Sequence, residues 1–202
     1  LKINSTTEVN LSNVDTKNTA NATANQIVFG NIRFSTVGDG KVRDYEDIYI
    51  IDAAGAAPLN GLVGDCRVDA VFPDGDGATQ QFTPSSAGTH WPLVDENPPS
   101  STDYVESSTL SHIELFNFSA LPTLTNPAVY AVQCSIFGYN PEAGGRSIAS
   151  RISSAGTAAN GSSFALGAAS AYINILHPLA PGSVSWAQTI INAAEFGLSI
   201  TV

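Results

Sequence analysis

Asp95 and Glu96 stand just after Trp91, and Asp103 follows within the same loop. Two carboxylates flanking a glycosidic bond can hydrolyse it, one as acid and the other as base or nucleophile. Adjacent residues on a strand point to opposite faces, however, so Asp95 and Glu96 cannot flank one bond without a bulge. Beside Asn97-Pro98-Pro99 they read as turn residues instead. Asp74-Gly75-Asp76-Gly77 opens like a calcium loop, but such a loop closes on a Glu where this chain has Ser85. A surface turn is the expected reading. His90, His112 and His177 are far apart and lack H-x-x-H spacing, which argues against a zinc site. No Gly-x-Ser-x-Gly elbow marks a nucleophilic serine. The chain is therefore not expected to be an enzyme, and no cofactor or metal site is assigned.

Two other residue types could carry chemistry. Trp91, Tyr104, Tyr139 and Tyr172 are candidates to stack on the apolar face of a sugar, each weighed against ordinary core packing. Cys66 and Cys134 are too few for a disulfide framework and lack metal-ligand spacing. Each falls on the apolar face of an expected strand. Buried free thiols and a cross-strand disulfide are equally consistent with that placement.

The elements that must position these residues follow from composition and period. The sequence is 43% hydrophobic and only 13% charged, its polarity coming from Ser, Thr, Asn and Gly. That mixture is typical of turn-rich all-β proteins. A formal net charge of −10 and a pI near 4.4 exclude a basic nucleic-acid surface. No apolar run is long enough to span a bilayer as a helix. The absence of Met and the strand-like opening Leu1-Lys2-Ile3 point to an incomplete amino-terminal unit.

Cys66, Val68, Ala70 and Phe72 alternate with Asp65, Arg67 and Asp69, the pattern of a half-buried strand that Pro73 should stop. This strand is expected to open the main domain, residues 62–202. Before it come a linker at 53–61 and a smaller β unit at 1–52. The smaller unit reads as a hairpin around Ser5-Thr6-Thr7, a polar loop at 12–25, and strands at 26–34 and 45–52. Four strands do not close a core alone, so this unit should need partners. In the main domain, strands are expected at 104–105, 111–118, 128–139, 146–153, 163–166, 171–177 and 196–202. Trp91-Pro92-Leu93-Val94 reads as a short apolar segment. Ser185-Trp186-Ala187-Gln188 reads as a capping box opening a helix of two or three turns, with Trp186 and Ile190 facing the sandwich. The expected fold class is all-β. Its main domain is an antiparallel, jelly-roll-like β-sandwich with one short helix.

Gly64-Asp65-Cys66-Arg67-Val68, Val94-Asp95-Glu96, Asp103-Tyr104-Val105, Ala131-Val132-Gln133, Gly145-Arg146-Ser147-Ile148 and Asn192-Ala193-Ala194-Glu195-Phe196-Gly197 occur in that order. With them the chain resembles a family of tailed-bacteriophage virion structural proteins. In that family a concanavalin A-like (laminin G-like) sandwich precedes a second β-sandwich. Val14 to Ala22 and Tyr45 to Ile50 look like the last strands of the first module. The resemblance implies a head decoration, fibre or tail appendage located on the virion. Other virion proteins and further copies of the chain would be its partners, a trimer by analogy to phage fibres. It also implies an alternative, an adhesin that recognises host polysaccharide. Laminin G-like modules often carry Ca2+, which leaves that ion open. Where the family commonly has Val, this chain has Cys66 and Cys134. That double replacement favours a disulfide, and because both cysteines are expected to face the same core, their strands are expected side by side.

Overall fold

The computed structural model describes residues 2–3, 6–7 and 66–202, apart from 126 and 143. Lys2–Ile3 (β1) pairs with Thr6–Thr7 (β2), so Thr6 and Thr7, expected in the turn, are strand residues. The strands expected at 26–34 and 45–52, the loop at 12–25 and the linker at 53–61 lie outside the described residues.

The remaining strands are Pro73–Gln80 (β3), Thr83–Pro84 (β4), Val105–Glu106 (β5), Ile113–Phe118 (β6), Val132–Gly138 (β7), Arg146–Ser154 (β8), Thr157–Leu166 (β9), Ala171–His177 (β10) and Glu195–Ile200 (β11). They form an antiparallel β-sandwich. One layer is a five-stranded sheet in the order β3-β6-β11-β8-β9, and over it lies the two-stranded ribbon β7-β10. β4 and β5 make a short separate pair.

The alternation in β11 explains how the layers meet. Phe196, Leu198 and Ile200 face inward and stand opposite Ile152, Ser150 and Ile148 of β8. Ile152 and Phe196 join Trp186, Ala180 and Ala194 in one buried cluster, against which Val132 and Cys134 of the ribbon pack. Ile148, Ile200 and Phe82 form a second cluster, closed by Ile136 and Ile173 of the ribbon. Phe118 meets Phe196 edge-on, with ring centroids 5.5 Å apart. Each such aromatic pair adds about 0.5–1.5 kcal/mol beyond its buried area.

The segment expected to open the domain does so differently. Residues 66–72 are not strand, and Val68 and Phe72 are 61% and 42% exposed. An alternating pattern makes a strand only where a sheet edge receives it, and that edge takes the next segment. β3 runs through Pro73 and both Asp-Gly pairs, which were expected to end a strand or form a turn. Pro73 is tolerated as the first residue of an edge strand, where its missing N–H leaves no ladder bond unmade. The pairing with β6 shifts register between Pro73 and Gly75 and again between Asp76 and Gln80. Such shifts re-aim side chains at a sheet edge. Gly77 is required here, because a Cβ would lie 2.5 Å from the Leu115 carbonyl oxygen.

The helix is also shorter than expected. Only Gln188–Ile191 (α1) is helical, Ala187 is its N-cap, and no side chain caps it. Ser185 lies too far upstream to reach the first free amides. Gln188 instead reaches outward, its Nε2 donating to the Pro122 and Leu121 carbonyls at 2.6 and 3.2 Å. Trp186 is buried as expected, its indole N–H donating to the His177 carbonyl at 2.8 Å, and Ile190 packs against the same cluster.

Both cysteines are free thiols. Cys66 lies ahead of β3 outside any strand, while Cys134 sits in β7, whose strand partner is β10. The strand expected at Cys66 is not formed, so it does not lie beside β7, and the bridge is not made. Burial pushes the Cys134 thiol up to about 12.

Candidate functional site

The buried polar groups gather at three places. The first joins β3, β6 and the 3-10 turn Trp91–Leu93. Ile113-Glu114-Leu115-Phe116-Asn117-Phe118 alternates, which sends Glu114 to the same inner face as Phe116 and Phe118. Glu114 is completely buried. Its Oε2 accepts from the amides of Gln81 and Phe82, both at 2.9 Å, and its Oε1 lies 2.6 Å from His90 Nδ1. Asp76 Oδ1 accepts from the amides of His90 and Trp91 at 2.9 and 2.8 Å. Burial raises the Asp76 carboxyl. Hydrogen bonds from the Gln80 side chain and from the Trp91 and His90 amides, with attraction to His90, outweigh that and leave it below its ordinary value. Glu195 Oε1 accepts from Ala78 N at 2.7 Å. A carboxylate can be kept in a protein interior when charge-assisted hydrogen bonds replace its water. The Glu114 and Asp76 carboxylates tie loop backbone to the sheet, and Glu195 ties β11 to β3.

The second place is a serine–histidine pair. Ser150 Oγ lies 2.6 Å from His177 Nε2, and both residues are buried. In a cleft such a pair could serve as nucleophile and base. Here it is sealed: a Cβ at Gly161 would fall 2.5 Å from both Ser150 Oγ and Ile175 Cγ2. β9 needs that glycine, at a register shift against β8, to let the ribbon settle. Burial lowers the His177 pKa, so the ring is held neutral. Among the described residues no carboxylate hydrogen-bonds it.

The third place is the outer face of the ribbon. Register sets Gln133 opposite Leu176, Ser135 opposite Asn174, and Phe137 opposite Tyr172. The Phe137 and Tyr172 rings are 4.9 Å apart and tilted at 56°. Ser135 Oγ donates to Asn174 Oδ1 at 2.7 Å. Phe137, Tyr172, Leu176 and the neighbouring Tyr139 are exposed.

Of the stacking candidates, Tyr172 lies on this face beside Phe137, which the sequence reading did not single out, and Tyr139 is exposed just past the end of β7. Tyr104 is exposed just before β5, and Trp91 is half-buried in the 3-10 turn; neither joins the ribbon face. Asp95, Glu96 and Asp103 lie in the loop that follows that turn. Among the described residues no group of three His, Cys, Asp or Glu side chains is placed to hold a metal. Glu114 was missed, although a lone carboxylate on the apolar face of a strand is a visible signal.

The geometry defines an antiparallel β-sandwich with a tied loop layer and one aromatic face. Compared with protein-family models, curated proteins and solved structures, the chain matches none of them.

Proposed function

We propose that the chain is a non-catalytic structural subunit of a tailed-bacteriophage virion that works in assembly and surface display. The ordered motifs given above supply the particle. The structural observation that carries the reading is the unequal layering, five strands under two among the described residues. It leaves the aromatic ribbon face exposed and, among the described residues, each ribbon strand paired on one side only. Open edges and apolar faces of this kind are where further chains add. The carboxylate ties suit a display role, since they fix loops to the sheet rather than aim at a substrate. Other virion proteins and further copies of the chain are the partners proposed. Antibodies raised against the chain and imaged on purified particles test it. Labelling at a repeated position is expected, and purified virions lacking the polypeptide would overturn it.

A second reading, recognition of a host polysaccharide, is favoured by the same face. Phe137, Tyr172 and Tyr139 offer rings to a sugar, and Gln133, Ser135 and Asn174 offer hydrogen bonds beside them. A glycan array run with the native chain and with Tyr172→Ala separates the two. Binding lost in the variant supports recognition, and an unresponsive native chain removes it.

A further inference from the structure

The opposite side of the sandwich, the outer face of the five-stranded sheet, carries an open cavity of about 350 Å³. That is the lower end of the range small-molecule sites occupy. Register explains its walls. Ile113, Ser199 and Ala149 form one row across β6, β11 and β8, and Arg151 and Asn160 extend the next row onto β9. Leu110 and Ile113 make an apolar wall, Arg151 and Asn160 a polar one, and Ser199 lies between them.

Two groups here are left without the partners their chemistry calls for. Ser199 is 4% exposed, and its Oγ has no hydrogen-bond partner. Buried hydroxyls are normally satisfied, and this one belongs to a residue that lines the cavity. Arg151 donates from Nη1 to the neutral Asn160 Oδ1 at 3.0 Å. Among the described residues the pairs at salt-bridge distance are Arg67–Asp69 and His90–Glu114, so no carboxylate answers Arg151. In a chain with 18 acidic and 8 basic residues, an arginine without an acidic partner beside a cavity is notable. Its planar fork suits a carboxylate held by two hydrogen bonds.

We propose that this cavity binds a hydroxylated carboxylate. Arg151 takes the carboxylate, Ser199 and Asn160 take hydroxyls, and Leu110 and Ile113 cover the carbon face. A uronic-acid unit of an acidic polysaccharide and a free hydroxy acid share this chemistry. The site is separate from the ribbon face and stands whether or not that face binds sugar.

Calorimetric titration of the full chain with D-galacturonate and with trigalacturonate tests it, with galactose and sulfate as controls. Saturable binding of the uronate is expected, weakened at least tenfold by Arg151→Gln and several-fold by Ser199→Ala. Tyr172→Ala should leave it unchanged, which keeps a failure here distinct from a failure at the ribbon. Tighter binding of the trimer assigns the ligand to a polysaccharide, and equal binding assigns it to a free acid. No binding of either uronate overturns the proposal, as does galactose or sulfate binding equally well. Should Arg151→Gln fail to fold, Ser199→Ala decides: it removes an unpartnered hydroxyl and should fold normally. Unchanged affinity in that variant overturns the assignment.

Discussion

Glu114 is the residue on which two loops depend, because one buried carboxylate takes donors from Gln81, Phe82 and His90. Removing this acceptor leaves buried donors unsatisfied, at about 1–3 kcal/mol. Glu114→Ala should lose that much in urea unfolding, and Glu114→Gln less, since its amide oxygen still accepts. A change below about 1 kcal/mol in the alanine variant would mean the loops hold without the tie. His177 gives a pH dependence of definite sign. Its folded pKa lies below the ordinary 6.5, so the unfolded chain binds the proton first on acidification. The stability it contributes is complete above about 6.5, falls as the pH drops below that, and levels off beneath the folded pKa. The urea midpoint should therefore fall on acidification more steeply in the native protein than in His177→Gln; equal slopes would show the ring does not carry it. Cys134, raised to about 12 by burial, should resist alkylation while the protein is folded. Ready labelling without denaturant would show that the ribbon lifts off.

At the scale of elements, alternation was legible wherever a strand has an apolar inner face. Ala171–His177 falls on the expected 171–177, and β6, β7, β8 and β11 lie within a few residues of the expected bounds. β3 was not legible, because its Pro and Gly residues signal turns in isolation. They belong in a strand only beside the Leu115 backbone, which a linear reading does not supply. The Glu114–His90 and Ser150–His177 pairs were hidden for the same reason, their partners being far apart in the chain. The capping box misled because Gln188 found carbonyls at Leu121 and Pro122 rather than the helix start. Close approach makes a testable ranking. A Cβ at Gly197 would collide with the Glu114 carbonyl oxygen in a strand paired on both sides, whereas Gly77 lies in an edge strand able to shift. Gly77→Ala should cost about 1–3 kcal/mol, the usual range for overpacking. Gly197→Ala should cost more, and the reverse order in thermal unfolding would show that the central strand yields more easily. Trp186→Ala should lose about 3–5 kcal/mol, the range for deleting a large buried aromatic. An unchanged melting temperature would mean that the indole does not anchor the helix to the sandwich.

At the scale of the whole molecule, the ribbon decides how the sandwich meets its surroundings. Phe137, Tyr172 and Leu176 stay exposed on a layer that is two strands wide among the described residues. Apolar surface left in water is unfavourable by about 25 cal/mol per Å², so covering this face with a second copy would favour association. The formal charge of −10 opposes it, since like-charged copies repel. Repulsion is screened by salt and the apolar contribution is not, so the two can be told apart. Sedimentation velocity should show self-association that strengthens with added salt, closing on a small symmetric oligomer for which a trimer is the expectation. Replacing Phe137 and Tyr172 together by Ser should weaken that association while leaving thermal unfolding nearly unchanged, because both rings are solvent-facing. Association that weakens with salt would point to charge pairing elsewhere on the surface. A double variant that assembles like the native chain would move the interface off the ribbon, and with it the structural reason for placing the protein in a larger assembly.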